Sequence, residues 1–273
     1  MKISAFSDEV YQNIDSQIDL LCSNEIKYIE LRFVDKLNII EHTTSYQKSC
    51  YDKLRDHNIE VSAIASPIGK SLISESFEDF VAKLNKAILT ANIFNTQFIR
   101  IFSFYPIAGD NSFRTEVIRR LRYATDLAEA SGLVLLHENE ASIYGHSAER
   151  CLDLAEAISS LSFRLLYDPG NFVWSEGISN QISDCFPLLK DYIAHVHIKD
   201  WIVGSKDIGV FPGMGDAQIK ELLLELHKME YEGFITLEPH LQKGMRFGGQ
   251  TSVSQFQKTV KILRNLLFDM CND

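Results

Sequence analysis

The run Leu133-Val134-Leu135-Leu136-His137-Glu138-Asn139-Glu140 passes from four apolar residues to a cluster of ionisable ones in a single step. An unbroken apolar run of this length reads as a strand covered on both faces, as in parallel sheets packed by helices. Similar runs rich in Ile, Val, Leu and Phe begin near Lys2, Lys27, Ile59, Gln97, Leu133, Phe163, Ile193 and Phe234. A stretch of helical spacing follows each. Phe77, Phe80, Val81, Leu84 and Ile88 fall at i, i+3, i+4, i+7 and i+11. Ile219, Leu222, Leu223 and Leu226 repeat the pattern, and Val253, Phe256, Val260, Leu263 and Leu267 continue it in the last unit. Parallel neighbours need a crossover of a dozen or more residues, usually a helix. Eight such units predict closure into a (β/α)8 TIM barrel. An open doubly wound sheet would more typically carry Gly-x-Gly-x-x-Gly after its first strand, and none stands there. Gly132 and Gly233 sit where helices are expected to stop, and Ser252 precedes Gln255 by three residues, as in a capping box. With no linker or low-complexity tract, residues 1–273 are expected to form one domain.

Composition narrows the class. The 273 residues are 45% hydrophobic and 23% charged, with a formal net charge of −10. That balance gives no support for binding nucleic acid, whose affinity comes from clustered Lys and Arg. Arg119, Arg120 and Arg122 are the nearest thing to a basic patch and read as a solvated helix face. Cys22, Cys50, Cys151, Cys185 and Cys271 are odd in number and lack Cys-x-x-Cys spacing, so they read as free thiols. No apolar run approaches 18 residues, and the first residues lack a signal-like apolar stretch. The expectation is a cytoplasmic protein without a membrane partner. A homo-oligomer is compatible with the sequence.

In a barrel, the C-terminal strand ends carry the chemistry. Strand five ends in His137-Glu138-Asn139-Glu140 and strand six in Tyr167-Asp168-Pro169-Gly170-Asn171. Strand seven gives His195-Val196-His197-Ile198-Lys199-Asp200, and strand eight gives Leu237-Glu238-Pro239-His240. Glu138, Asp168, His197 and Glu238 would meet around one point. Three carboxylates left together there would repel one another and be costly to desolvate, and one divalent cation removes that cost. Oxygen-rich ligation with one imidazole favours Mn²⁺ or Mg²⁺ and admits Zn²⁺ or Co²⁺. Lys199 shares a strand face with His197 and reads either as a group polarising a substrate oxygen or as half of an interior salt bridge. His240 is a candidate substrate contact. His195 lies deeper and reads as a core group or a support for His197. His146, after strand five, reads either as a substrate-binding base or as a solvated helix-entry residue. Arg246, in the Gly-rich stretch 244–249, reads as loop or lid, and Ser66-Pro67-Ile68-Gly69-Lys70 is a weak phosphate-loop candidate.

These same residues carry a resemblance. The strand-end motifs, with Ile29-Glu30-Leu31-Arg32 on strand two and Tyr144-Gly145 after strand five, resemble the xylose isomerase-like barrel superfamily, in particular its sugar phosphate isomerase/epimerase group. The resemblance spans most of the chain. It implies that Glu138, Asp168, His197 and Glu238 are metal ligands. It further implies that Glu138 and Glu238 exchange protons on opposite faces of a bound sugar through an enediolate. Related ketose 3-epimerases have a carboxylate six residues after the first ligand, a His three after the Asp and an Arg six after the ligand His. Here those positions hold Tyr144, Asn171 and Val203. The leading expectation is thus a sugar isomerase or epimerase. A dehydratase or lyase acting on a keto sugar or 3-keto glycoside is the alternative, which His146 keeps open. Endonuclease IV-like repair and non-catalytic sugar binding come behind.

Overall fold

Apolar strands alternating with amphipathic helices close on themselves in the computed structural model, which describes residues 1–106, 113–205, 208–243 and 249–270. Eight parallel strands form the barrel: β1 (Lys2–Ala5), β2 (Tyr28–Leu31), β3 (Glu60–Ala65), β4 (Phe98–Ile101), β5 (Val134–Glu138), β6 (Phe163–Tyr167), β7 (Ile193–Ile198) and β8 (Phe234–Leu237). Each pairs with its neighbours in sequence, and β8 returns to β1 with Ala5 opposite Leu237. Outside lie α1 (Ile14–Ser23), α2 (Thr44–Asp56), α3 (Phe77–Ile93), α4 (Phe113–Ala130) and α5 (Ala148–Ile158). The sixth unit is broken into α6 (Pro169–Glu176), α7 (Gln181–Asp184) and α8 (Phe186–Leu189), and α9 (Ile219–Lys228) and α10 (Val253–Met270) complete the ring.

The helices form where the sequence has both a stripe and a start. In α3, Phe80 and Leu84 are fully buried, and Ser76 accepts the Asp79 N–H at 3.0 Å. The Ser252 capping box exists: Gln255 N–H donates to Ser252 Oγ at 3.3 Å, and Ser252 N–H donates back to Gln255 Oε1 at 3.1 Å. Gly233 stops no helix. Glu230 takes the left-handed turn after α9, at φ +55°, while Gly233 lies against the Tyr231 ring, where a Cβ would come within 2.3 Å of the hydroxyl. Of the Arg cluster, Arg119 and Arg122 lie exposed as expected, and Arg120 differs from its reading. Arg120 is buried, holding Glu116 at 2.7 Å with its guanidinium 5.4 Å from the Phe104 ring, and Arg122 donates to the Ala157 carbonyl.

The core lies mainly between strands and helices. A second small cluster, Ala63, Leu136 and Leu166 with Phe98 and Val134, fills the barrel beneath the strand ends. This apolar floor leaves the ionisable residues gathered at the C-terminal mouth. Among the described residues no helix is long and apolar enough to cross a membrane. Cys22, Cys50, Cys151 and Cys185 are free thiols, and Cys271 lies outside the described residues.

Candidate metal centre

Strand alternation turns every second side chain inward, and at the barrel mouth those side chains are charged. Glu138, at the end of β5, Asp168 just past β6, His197 in β7 and Glu238 just past β8 are all buried. One donor atom from each lies within 4.8 Å of the others. His197 Nδ1 stands 3.2 Å from Glu238 Oε2, 3.4 Å from Glu138 Oε1 and 3.6 Å from Asp168 Oδ2. His197 Nδ1, Asp168 Oδ2 and Glu238 Oε2 are buried without a hydrogen-bond partner. A buried polar atom left unsatisfied costs roughly 1–3 kcal/mol, so three aimed at one point form a cradle for a cation. Their spacing suits an ion with bonds of about 2.0–2.2 Å.

The remaining atoms of these four residues are already committed. Asp168 is the N-cap of α6: its Oδ1 accepts the Asn171 N–H at 2.9 Å, Pro169 occupies the first turn, and only Oδ2 is left over. Glu138 Oε2 accepts from Arg100 at 2.8 Å, and Glu238 Oε1 accepts from Arg32 at 2.7 Å. His197 Nε2 lies 3.2 Å from both oxygens of Glu30. Against its desolvation, Glu30 and Glu138 hold the His197 imidazole well above its ordinary range. An ion taking Nδ1 would displace the proton there and leave Nε2 donating to Glu30. Glu30 also lies 2.8 Å from His195 Nε2, which bonds Thr236 at the same distance.

The electrostatics follow from these partners. Burial works to raise Glu138, Glu238 and Glu30, and neighbouring positive groups overcome it. Against that desolvation, Arg100 and His197 bring Glu138 down to about 2. Lys199, His240 and His197 hold Glu238 well below the usual carboxylate range, and His197 and His195 do the same for Glu30. Lys199 is buried yet held above its ordinary value, because Asp168 and Glu238 outweigh its desolvation.

Lys199 joins the centre. Its Nζ donates to Asn171 Oδ1 at 2.8 Å and stands 3.5 Å from Asp168 and 3.8 Å from Glu238. Asn171 Nδ2 in turn donates to Glu138 Oε1 at 3.3 Å. Gly170 makes this crossing feasible, since a Cβ there would sit 2.6 Å from Lys199 Cγ. His240 Nε2 lies 3.2 Å from Glu238 Oε1 and from the buried Glu9, whose other oxygen accepts the Thr251 hydroxyl at 2.7 Å. His146 is not at the centre. It pairs with Glu176 at 3.0 Å in an adjoining cleft. Lys70 is bound to Glu140 at 2.6 Å, which takes it away from any phosphate, and Arg246 lies outside the described residues.

Glu30, Arg32 and Arg100 are the site-supporting residues that a reading of strand ends overlooks. Each interrupts an apolar strand run with a charge, and Glu30 and Arg32 stand two apart, which puts both inside the barrel.

A family model described as xylose isomerase-like TIM barrel matches residues 18–266. Among solved structures, the probable 3-DHS dehydratase AsbF involved in petrobactin synthesis, from Bacillus anthracis, is 20% identical, with a TM-score of 0.77 over 97% of this chain and 99% of that one. A D-tagatose 3-epimerase-like protein is 15% identical, with a TM-score of 0.79 over 100% of this chain and 99% of that one. A xylose isomerase-like TIM barrel protein from Mycobacterium smegmatis, in complex with magnesium, is 15% identical, with a TM-score of 0.74 over 98% and 97%. At these identities the likeness is one of fold. No curated protein matches the chain.

Proposed function

The chain belongs to the xylose isomerase-like TIM barrel family, and from that premise we propose a metal-dependent isomerase or epimerase that moves a proton next to the carbonyl of a sugar. The observation that carries this reading is the convergence of three unpartnered buried atoms, on His197, Asp168 and Glu238, beside Glu138. Glu138, Asp168, His197 and Glu238 hold one divalent ion, with Mn²⁺ or Mg²⁺ favoured by the oxygen-rich set and Zn²⁺ or Co²⁺ admitted. When bound, that ion supplies Lewis-acid polarisation of a carbonyl oxygen.

The chain's own groups move the proton. Glu138 and Glu238 enter the centre from β5 and β8, so a sugar held between them offers one face to each. One carboxylate removes the proton beside the carbonyl, giving an enediolate. In an isomerisation the carboxyl so formed returns that proton to the neighbouring carbon. In an epimerisation the opposite glutamate, protonated from solvent, delivers a proton to the other face of the same carbon. Arg100 and Arg32 fix their outer oxygens, which orients each carboxylate. Lys199, aimed by Asn171, donates to the substrate oxygen where charge develops. Residues 1–273 act as one functional unit.

A second reading has its own support. Tyr144 replaces the extra epimerase carboxylate and spends its hydroxyl on Asp153 at 2.6 Å, while Asn171 replaces the extra His. With those groups gone, the same carbanion is free to expel a leaving group β to the carbonyl, as a dehydratase or lyase would. Likeness in fold to a probable dehydratase is in keeping with this.

One experiment tests both. Keto sugars and 3-keto glycosides incubated with the Mn²⁺-loaded protein in D₂O are expected to gain deuterium beside the carbonyl, read by NMR. Mass then divides isomerisation, which conserves it, from elimination, which does not. Glu238→Gln should lower turnover by about 10²-fold or more. A metal-loaded Glu238→Gln protein with near-full turnover would overturn the two-carboxylate scheme.

A further inference from the structure

On the same side of the barrel as the metal centre, the segments that follow β4, β5 and β6 bound a cleft of about 670 Å³ whose lining includes Tyr144, His146, Arg150, Trp174, Ser175 and Glu176. Its volume falls among those of small-molecule sites. Its place ties it to the centre. Trp174 stands one turn beyond Asn171 in α6, and residues three apart share a helix face with Cβ atoms about 5–6 Å apart. Asn171 is the residue that bonds both Glu138 and Lys199. On the far side, the Trp174 ring packs 6.2 Å from Trp201, which packs 6.4 Å from His240, itself against Glu238. A continuous wall therefore runs from a candidate ligand to the cleft.

The lining has two kinds of surface. Trp174 leaves 42% of its area exposed, an unusual state for an indole at a concave site. Around it stand polar groups: the His146–Glu176 pair at 3.0 Å, Ser175, and Arg150, whose guanidinium lies 4.5 Å above the Tyr144 ring. A flat aromatic face matches the C–H face of a pyranose, whose hydrogens meet the negative side of the ring. Donors and acceptors at the edge match its hydroxyls. A purely aromatic group would fill the same volume but would bury Arg150 and the His146–Glu176 pair without giving them partners.

We propose that this cleft is a subsite for a second sugar ring, so that the substrate is a glycoside or disaccharide whose reacting ring lies at the metal centre. The proposal rests on the reading that the centre handles a sugar, and it assigns His146 to binding rather than to the proton transfer.

The chain's two tryptophans, Trp174 and Trp201, both stand in this wall, so intrinsic fluorescence reports on it directly. Chelator-treated protein would be titrated with glucose, phenyl β-glucoside, and the disaccharides maltose, cellobiose, lactose and sucrose. At least one disaccharide is expected to change the emission at concentrations 10-fold or more below those glucose needs. Arg150→Ala should remove that advantage in the emission, and Trp174→Ala, which deletes one of the two reporters, should remove it in isothermal titration calorimetry. Mn²⁺ affinity of Trp174→Ala should match that of the parent, which shows that the variant is folded at the centre. The proposal is overturned if no disaccharide does better than glucose, if phenyl β-glucoside outperforms them all, or if both variants keep the preference. Because this titration needs neither metal nor turnover, its outcome stands apart from that of the deuterium experiment.

Discussion

A histidine serves as a metal ligand only if its second nitrogen is held, and in this molecule Glu30 holds it. The Glu30 carboxylate lies within 3.2 Å of His197 Nε2 and is fully enclosed with His195. Replacing it with glutamine keeps the shape and removes the charge that fixes the tautomer. Glu30→Gln is therefore expected to lower Mn²⁺ affinity by about 10–100-fold, the usual cost of losing such an outer partner. Competition against a fluorescent chelator measures it, with circular dichroism as the check on folding; unchanged affinity would show that something else orients His197. Gly170 supports a second prediction. A methyl at its Cβ position would lie 2.6 Å from Lys199 Cγ and 2.9 Å from the Lys199 carbonyl oxygen, so in Gly170→Ala both the side chain and the backbone of the lysine must shift, which disturbs its bond to Asn171. Turnover of whichever sugar proves to be the substrate should fall by roughly 10²-fold, as for a displaced acid. Titration with Mn²⁺ should show the four ligands still holding. Loss of metal together with turnover would mean that the glycine serves the ligands instead.

Elements differ in how plainly the sequence announces them, and the reason is physical. All eight strands and the long helices α3, α9 and α10 carry their signal in their own apolar period, which burial then enforces. The break of the sixth unit into α6, α7 and α8, and the short antiparallel pair Phe33–Val34 with Leu37–Asn38, depend on contacts with distant segments. The quartet was legible because Glu138, Asp168 and Glu238 each end an apolar run and His197 stands at the comparable level of β7. Glu30, Arg32 and Arg100 lay inside such runs, and only the closed barrel reveals that they face its mouth. Arg120 misled for a related reason: its charge suggests solvent, but its stem and guanidinium pack on Phe80 and Phe104 while Glu116 holds the head. Glu116 gives α4 a measurable pH signature. Hydrogen bonds from Arg119, with Arg120 behind them, lower its carboxyl to about 2 against an ordinary 4.5. A carboxyl depressed in the folded state stabilises it fully above 4.5, and that contribution is lost as pH falls through about 2. Glu116→Gln should thus cost about 1 kcal/mol at pH 7, after allowance for its partial exposure. In urea denaturation the gap between the two proteins should narrow steadily below pH 4.5. A gap independent of pH would assign the loss to packing.

At the scale of the whole molecule, the barrel carries a conflict that a cation would resolve. Its floor is apolar, its mouth collects carboxylates, and three buried atoms there have no hydrogen-bond partner in the protein. A ligand that binds only the folded chain stabilises it by mass action, about 2.7 kcal/mol at a concentration 100 times its Kd. For a chain of this size that corresponds to roughly 5–10 °C in Tm. Saturating Mn²⁺ should produce such a rise in a thermal scan, and chelator should reverse it. Asp168 separates this from any general effect of salt. Its two oxygens have different duties, with Oδ1 capping α6 and Oδ2 facing the centre without a hydrogen-bond partner. Asparagine caps a helix as well as aspartate does, so Asp168→Asn keeps the first duty and gives up the second. In the absence of metal, the variant keeps the cap but gives up the buried ion pair of Asp168 Oδ2 with Lys199 at 3.5 Å, so it should melt somewhat below the parent. With Mn²⁺ added, the parent should gain its 5–10 °C and the variant should not. A variant that gains as much from Mn²⁺ as the parent does would show that Asp168 is not among the ligands.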